Sequence, residues 1–379
     1  MLLYADAKRA INMKSIGKIM VACVFISLMT LTIGCFGVKA QPAGTIVINP
    51  DGSVPGTTLI QRQGNIYRFT ASIYDVPIMV ACNNIVLDGE GFALQGAGGW
   101  GTPGVAGAED TAAIDLRGSN ITVQNFSITG WEAGVSGAFN GNSVIDNNIT
   151  RTENAVAIYA DGYHVSGNYL ASSIYAVTIK GNNNLVSQNQ IVNNYGGVMI
   201  YPSLGATITE NNFANNTVDL NIGTYGEISY EIYENNFAVD ANTRIAETSS
   251  DALGPADQGT LPAWDNGSVG NCWSDYAAKY PNATEIGTSG VGDTPYLIRQ
   301  NPTIIDRYPL MAPAKIQNVS ATAPANISKA ASSLTEPSPN PRGSMMETAL
   351  FAALAIAAAS CIIVVFAFRN RLFGLQKNS

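Results

Sequence analysis

Apolar and polar residues alternate in short runs through the middle of the chain, and the runs return every 21 residues. Ile114 is followed at that spacing by Val135, Val156, Val177 and Val198, and Val123 by Val144, Val165 and Val186. In Ala176-Val177-Thr178-Ile179 the apolar positions alternate with small or polar ones. Gly181-Asn182-Asn183-Asn184 then turns the chain, and Leu185 to Ile191 forms a second side before Asn193-Asn194 turns it again. The pattern predicts two strands per repeat and no helix. A period in the twenties with β-branched alternation marks a solenoid, whose coils bury their apolar side only by stacking. Coils this short cannot hold a crossover helix, so like strands pair in parallel at about 4.8 Å per coil. The expected fold is all-β: a right-handed parallel β-helix of ~21-residue coils.

An asparagine column fixes the register. Asn147, Asn168, Asn189, Asn211 and Asn235 fall at one point of successive coils, each two residues before an apolar position. Stacked side-chain amides can bond up and down such a ladder, and Asn tolerates the left-handed backbone of tight turns. A rung from Pro77 to Leu94 precedes the regular set, and a Gly-rich loop follows it.

The two ends read differently. Residues 1–40 combine Lys14 and Lys18 with an apolar run and small residues before Gln41, which predicts a signal peptide or signal anchor. Residues 41–315 form the β-helix domain: an N-terminal cap over 41–80, rungs over 81–240 and a C-terminal cap over 241–315. Residues 316–346 are rich in Ser, Thr, Ala and Pro, the composition of an extended stalk. Residues 347–368 are almost wholly apolar and precede Arg369, Arg371 and Lys377. That predicts a transmembrane helix with residues 369–379 as a cytoplasmic tail and the solenoid displayed outside the cell.

Twenty Lys and Arg against 28 Asp and Glu give a net charge of −8, and the acidic excess deepens between the two ends. Nucleic acid is therefore excluded as a partner. Cys82 and Cys272 lie near opposite ends of the stack, about 35 to 40 Å apart at the parallel-strand spacing, and are expected as free thiols. Eight Asn-X-Ser/Thr sequons, at Asn120, Asn125, Asn148, Asn215, Asn266, Asn282, Asn318 and Asn326, suit a displayed glycoprotein.

After the repeats come Trp264-Asp265-Asn266-Gly267, Gly270-Asn271-Cys272-Trp273-Ser274-Asp275-Tyr276, Gly292-Asp293-Thr294-Pro295-Tyr296 and Asp306-Arg307-Tyr308-Pro309. With Asn84-Ile85-Val86-Leu87-Asp88-Gly89 in the first rung, this order resembles the archaeal and bacterial NosD-like, periplasmic copper-binding type of right-handed β-helix protein. Those proteins sit within the wider carbohydrate-binding and sugar-hydrolase β-helix group. The resemblance implies the fold, whereas function must come from individual residues. Asp293 stands alone where relatives carry an Asp-rich stretch, too few carboxylates for calcium. Copper draws on clustered His, Cys and Met, and the chain holds one histidine, His164. No metal and no cofactor is expected.

Enzymes on such a stack need carboxylates converging from neighbouring coils. The outward column Asp115, Ser136, Ala157, Thr178, Met199 makes no pair. Glu132 and Glu153, one repeat apart beside Trp131, are the best acid candidates. Tyr159, Lys180 and Tyr201, also in step, are candidates for saccharide binding, either as a platform or as a mutual cation–π stack. The reading is thus a membrane-tethered surface protein that binds glycan or mediates adhesion, leaning away from catalysis. A polysaccharide-active enzyme is the alternative, and copper delivery is disfavoured by the single His. Oligomeric state is open.

Overall fold

The computed structural model describes residues 44–98, 112–223, 228–239, 245–248, 261–300 and 303–316. The expected signal segment, the transmembrane helix and its tail, and the stalk beyond Ile316 lie outside the described residues. Among the described residues, no helix is long and apolar enough to cross a membrane.

Three nine-stranded sheets form the body. Apart from an antiparallel hairpin at the start, Ile60–Gln63 with Ile66–Phe69, every pairing within them is parallel and joins one coil to the next. Each coil therefore has three strands, where the sequence reading expected two. In the Val177 coil these are Tyr175–Ile179, Leu185–Ser187 and Gln190–Val192. The second and third read as one run because the bend between them is made by Gln188, held at φ 57°. Such a single left-handed residue is not marked by glycine here, so the alternation passes through it unbroken. The stack also starts earlier than residue 81, since Ile46–Ile48 already pairs with Ile78–Val80.

Each sheet contributes one inward column. The first runs Ile78, Ile114, Val135, Val156, Val177, Val198, Leu220. The second holds Leu87, Val123, Val144, Val165, Val186 and Ile208, and the third Ile128, Ile149, Leu170, Ile191, Phe213 and Phe237. These side chains are fully or almost fully buried in one continuous core. β-Branched residues suit it because each packs on its copies above and below as well as across the coil.

The asparagines stack as a bonded ladder. Asn189 Oδ1 accepts from the backbone N–H and the amide of Asn168 at 2.9 and 3.0 Å. Its own Nδ2 donates to Val165 O, Ser187 O and Asn211 Oδ1 at 2.9 Å each. The same set recurs at Asn147, Asn168, Asn211 and Asn235, and Asn271 extends it. The left-handed backbone falls one residue earlier than expected, on Asp146, Gly167, Gln188, Glu210 and Glu234. The ladder asparagine therefore serves through its amide, and its neighbour makes the turn. Shorter rows run at the other corners, through Asn194 and Asn216 and through Asn142, Tyr163 and Asn184.

The motifs after the repeats close the stack. Phe213, Phe237, Trp273 and Tyr296 continue the third inward column as stacked rings, 5.0, 4.7 and 4.3 Å apart, and Lys279 Nζ sits 3.9 Å over the last. Buried Asp265 holds Arg307 through Nε and Nη2 at 2.9 and 2.5 Å. Asp306, 0% exposed, takes the backbone N–H of Asn271 at 2.7 Å, the indole N–H of Trp273 at 2.9 Å and the N–H of Tyr308 at 3.1 Å.

Burial pushes the Asp306 carboxyl up from 3.8 to about 6 despite these donors. A carboxyl raised on folding stabilises the fold fully below its unfolded value, and that contribution is lost as pH rises through the folded one. Between pH 4 and pH 7 wild type should lose on the order of 2 kcal/mol from this group. In urea titrations Asp306→Asn should show a flatter stability profile over that window, whatever its offset. Parallel profiles for the two proteins would show that Asp306 does not titrate there.

Candidate functional site

The outer surface of the first sheet brings the sequence candidates together. Its central outward column is Met79, Asp115, Ser136, Ala157, Thr178, Met199, Asn221, as the spacing predicted. Although they point outward, Ala157 is only 2% and Thr178 only 5% exposed. Both are short, and tyrosines stand at the two ends of the same strands.

One flank is the predicted column, at the corner where the strands end. Lys180 Nζ lies between two rings, 5.1 Å from the centroid of Tyr159 and 4.3 Å from that of Tyr201. Both contacts are within cation–π range. The ammonium occupies the gap between the rings, so this column is a self-satisfied sandwich more than an open platform.

The other flank was not foreseen. Tyr175 stands one coil below Gly196 in register. A Cβ on Gly196 would lie 2.6 and 2.8 Å from Tyr175 Cδ1 and Cε1, so one edge of the ring fills the place of the missing side chain. Tyr195 meets it edge-on, with centroids 6.5 Å apart and planes at 78°. Tyr195 is the most exposed large hydrophobic residue among the described ones, at 59%. Burial, then Tyr195, Tyr201 and Glu153, raises the pKa of the Tyr175 hydroxyl. Asn154 completes the corner, its Oδ1 accepting from Thr178 Oγ1 at 2.7 Å. The available signal was a Tyr followed one period later by Gly.

Glu132 and Glu153 do lie on neighbouring coils, and Glu132 O accepts from the N–H groups of Glu153 and Asn154 at 2.9 and 3.0 Å. Trp131, expected as their aromatic companion, is instead buried, with its indole N–H on Leu94 O at 3.1 Å. It anchors the coil and offers no ring face to a sugar. A second acidic pair, Glu210 and Glu234, occupies left-handed corners of successive coils. Gln188 donates to Glu210 at 2.7 Å, and Glu234 is raised by burial and then by Glu210. Asp293 is spent on Thr284 and Thr294.

A family model described as periplasmic copper-binding protein (NosD) matches residues 77–278, more than half of the chain. No curated protein matches. Among solved structures, a tailspike protein double mutant of E. coli bacteriophage HK620 in complex with pentasaccharide is similar. The identity is 12% and the TM-score 0.33, over 53% of this chain and 48% of that one. The chain thus spans about half the length of that structure.

Copper, named in the family description, finds poor ligands here. Burial lowers the pKa of His164, whose Nε2 lies 3.3 Å from Ser187 Oγ. Cys272 is buried and its thiol is pushed up to about 11, so it stays protonated at neutral pH. Cys82 is a free thiol at the other end of the stack, and Met79 and Met199 stand five coils apart, roughly 24 Å. Among the described residues no group of three or more His, Cys, Asp and Glu could hold a metal ion. The soft, clustered donor set that copper requires does not fit these residues.

Proposed function

The chain belongs to the NosD family, and on that premise we propose that it is a membrane-tethered, right-handed β-helix that binds glycan at the cell surface without cleaving it. The observation that carries the reading is the set of tyrosines at the two ends of the first sheet's strands. Tyr175 and Tyr195 stand at one end, Tyr159 and Tyr201 at the other, of the strands that carry the outward column Ala157, Thr178 and Met199. Sugars are recognised by aromatic surface together with a few fixed hydrogen-bonding groups, and a rigid stack supplies both without ordering cost. Tethering rests on the apolar residues 347–368 and the basic flank behind them.

Protease added to intact cells should cut the stalk near Pro337 and release the solenoid, while a tag after Ser379 stays protected. The released domain should bind on a glycan array and liberate no reducing sugar from its ligand. A tag digested from outside would defeat the tethering. Steady release of reducing ends would move the reading to the polysaccharide-active alternative, with the two glutamate pairs as first suspects.

A further inference from the structure

We infer that the sugar subsite is the corner formed by Tyr175 and Tyr195, and that its ligand is a neutral pyranoside oligosaccharide. This inference rests on the glycan-binding reading and narrows it to one end of the first sheet.

A sugar ring gains most from an aromatic face that nothing else occupies. In the Tyr159–Lys180–Tyr201 column the ammonium already fills the space between the two rings, so a sugar would have to displace a cation. Tyr175 is held differently. It leans on Gly196 by one edge, no cation–π contact involves it, and it is only half-buried. Tyr195 stands nearly perpendicular to it and is mostly exposed, so the two rings make a corner with a wall and a base. Stacking one coil on the next fixes both residues, because Tyr175 N donates to Glu153 O at 2.8 Å and Tyr195 N to Ser173 O at 3.1 Å.

The polar groups nearby are of the kind that meet sugar hydroxyls. Asn154 and Thr178 bond each other through Oδ1 and Oγ1, which leaves the Asn154 amide N–H groups for a ligand hydroxyl. Charge sets the class. Glu153 lies close enough to raise the Tyr175 hydroxyl, Glu132 is on the coil before it, and the chain is acidic overall, whereas the Lys180 ammonium lies beyond the opposite end of the strand. A uronate or sulfated glycan would meet repulsion at close range, and a neutral one would not.

The test is calorimetry of the purified full chain, in a non-glycosidic detergent, against cellohexaose, chitohexaose and mannohexaose, with hexagalacturonate as the anionic probe. Wild type should bind a neutral hexamer more tightly than the galacturonate. Tyr175→Ala and Tyr195→Ala should each weaken that binding about tenfold or more. Gly196→Ala should weaken it too, although both rings remain, because its Cβ evicts the Tyr175 edge. Tyr159→Ala combined with Tyr201→Ala, which strips the rings from the Lys180 sandwich, should weaken binding less than either corner variant does. Thermal melts of all variants, matched to wild type, separate lost binding from lost fold. Binding that survives the corner changes but vanishes with the Tyr159 and Tyr201 pair would overturn this inference and leave the glycan reading standing. Tighter binding of hexagalacturonate would overturn the neutral class, and failure of wild type to bind any of the four probes would sink both.

Discussion

Val177→Asp is expected to prevent the stack from closing. Val177 is 0% exposed and sits between Val156 and Val198, with no polar partner in its column. An ionised carboxylate there would cost several kcal/mol, and protonating it instead still leaves a polar group among aliphatic side chains. Because each coil is held by its neighbours, the damage spreads to the interfaces on both sides. In a urea titration the variant should lose on the order of 4 kcal/mol or fail to fold. Ser143→Asp is the outward control on the second sheet, beside Thr122 and His164, and should stay within about 1 kcal/mol of wild type. Thr178 is an unsuitable control although it is outward, since it is covered and bonded to Asn154. Equal losses for Val177→Asp and Ser143→Asp would mean that the inward and outward faces had been interchanged.

Asn189→Ala should be nearly as damaging, for a different reason. The change removes no charge and little apolar area, yet it leaves the buried Asn168 N–H without its acceptor and takes the amide away from Val165 O, Ser187 O and Asn211 Oδ1, although Asn211 Oδ1 keeps the backbone N–H of residue 189 and Asn168 Nδ2 keeps Val144 O and Ser166 O. A buried polar group left without a partner costs about 1 to 3 kcal/mol, and three further amide bonds are lost beside it, so a loss of about 3 kcal/mol is expected. Asn140→Ala is the comparison. Its Oδ1 also accepts from the next coil, from Asp161 N–H at 3.1 Å, but at an exposed turn where water can replace it. That variant should lose about 1 kcal/mol or less. A similar small loss at both sites would refute the ladder as a source of stability.

Both variants concern features that the sequence discloses, and the reasons are physical. Stacking demands the same residue type at the same point of every coil, so Val135, Val156 and Val177, or Asn147, Asn168 and Asn189, repeat visibly. What stays hidden is whatever breaks the repeat or acts without it. The third strand was missed because Gln188 turns the chain without a glycine. The shorter polar rows were missed because Tyr163 and Ser173 stand where amides would make the pattern plain. The tyrosine surface was half legible: Tyr159, Lys180 and Tyr201 are in step, whereas Tyr175 and Tyr195 belong to different columns and meet where Gly196 leaves room. Trp131 misled, since its place beside Glu132 in the chain says nothing of which way the indole turns.

The asparagine ladder also gives the solenoid a direction. Every Oδ1 in it accepts from the preceding coil, and one bond of every Nδ2 runs to the Oδ1 of the following coil, its others going to carbonyls of its own and the preceding coil. Side-chain amides aligned head to tail add their dipoles, as peptide units do along an α-helix, with the positive end toward the C-terminal coils. At that end the last partner is a carboxylate, Asp306, in place of a further amide. The stack is therefore polarised along its axis and finished by an anion at its positive pole. Two such domains could continue one another's row of amides only head to tail, never head to head.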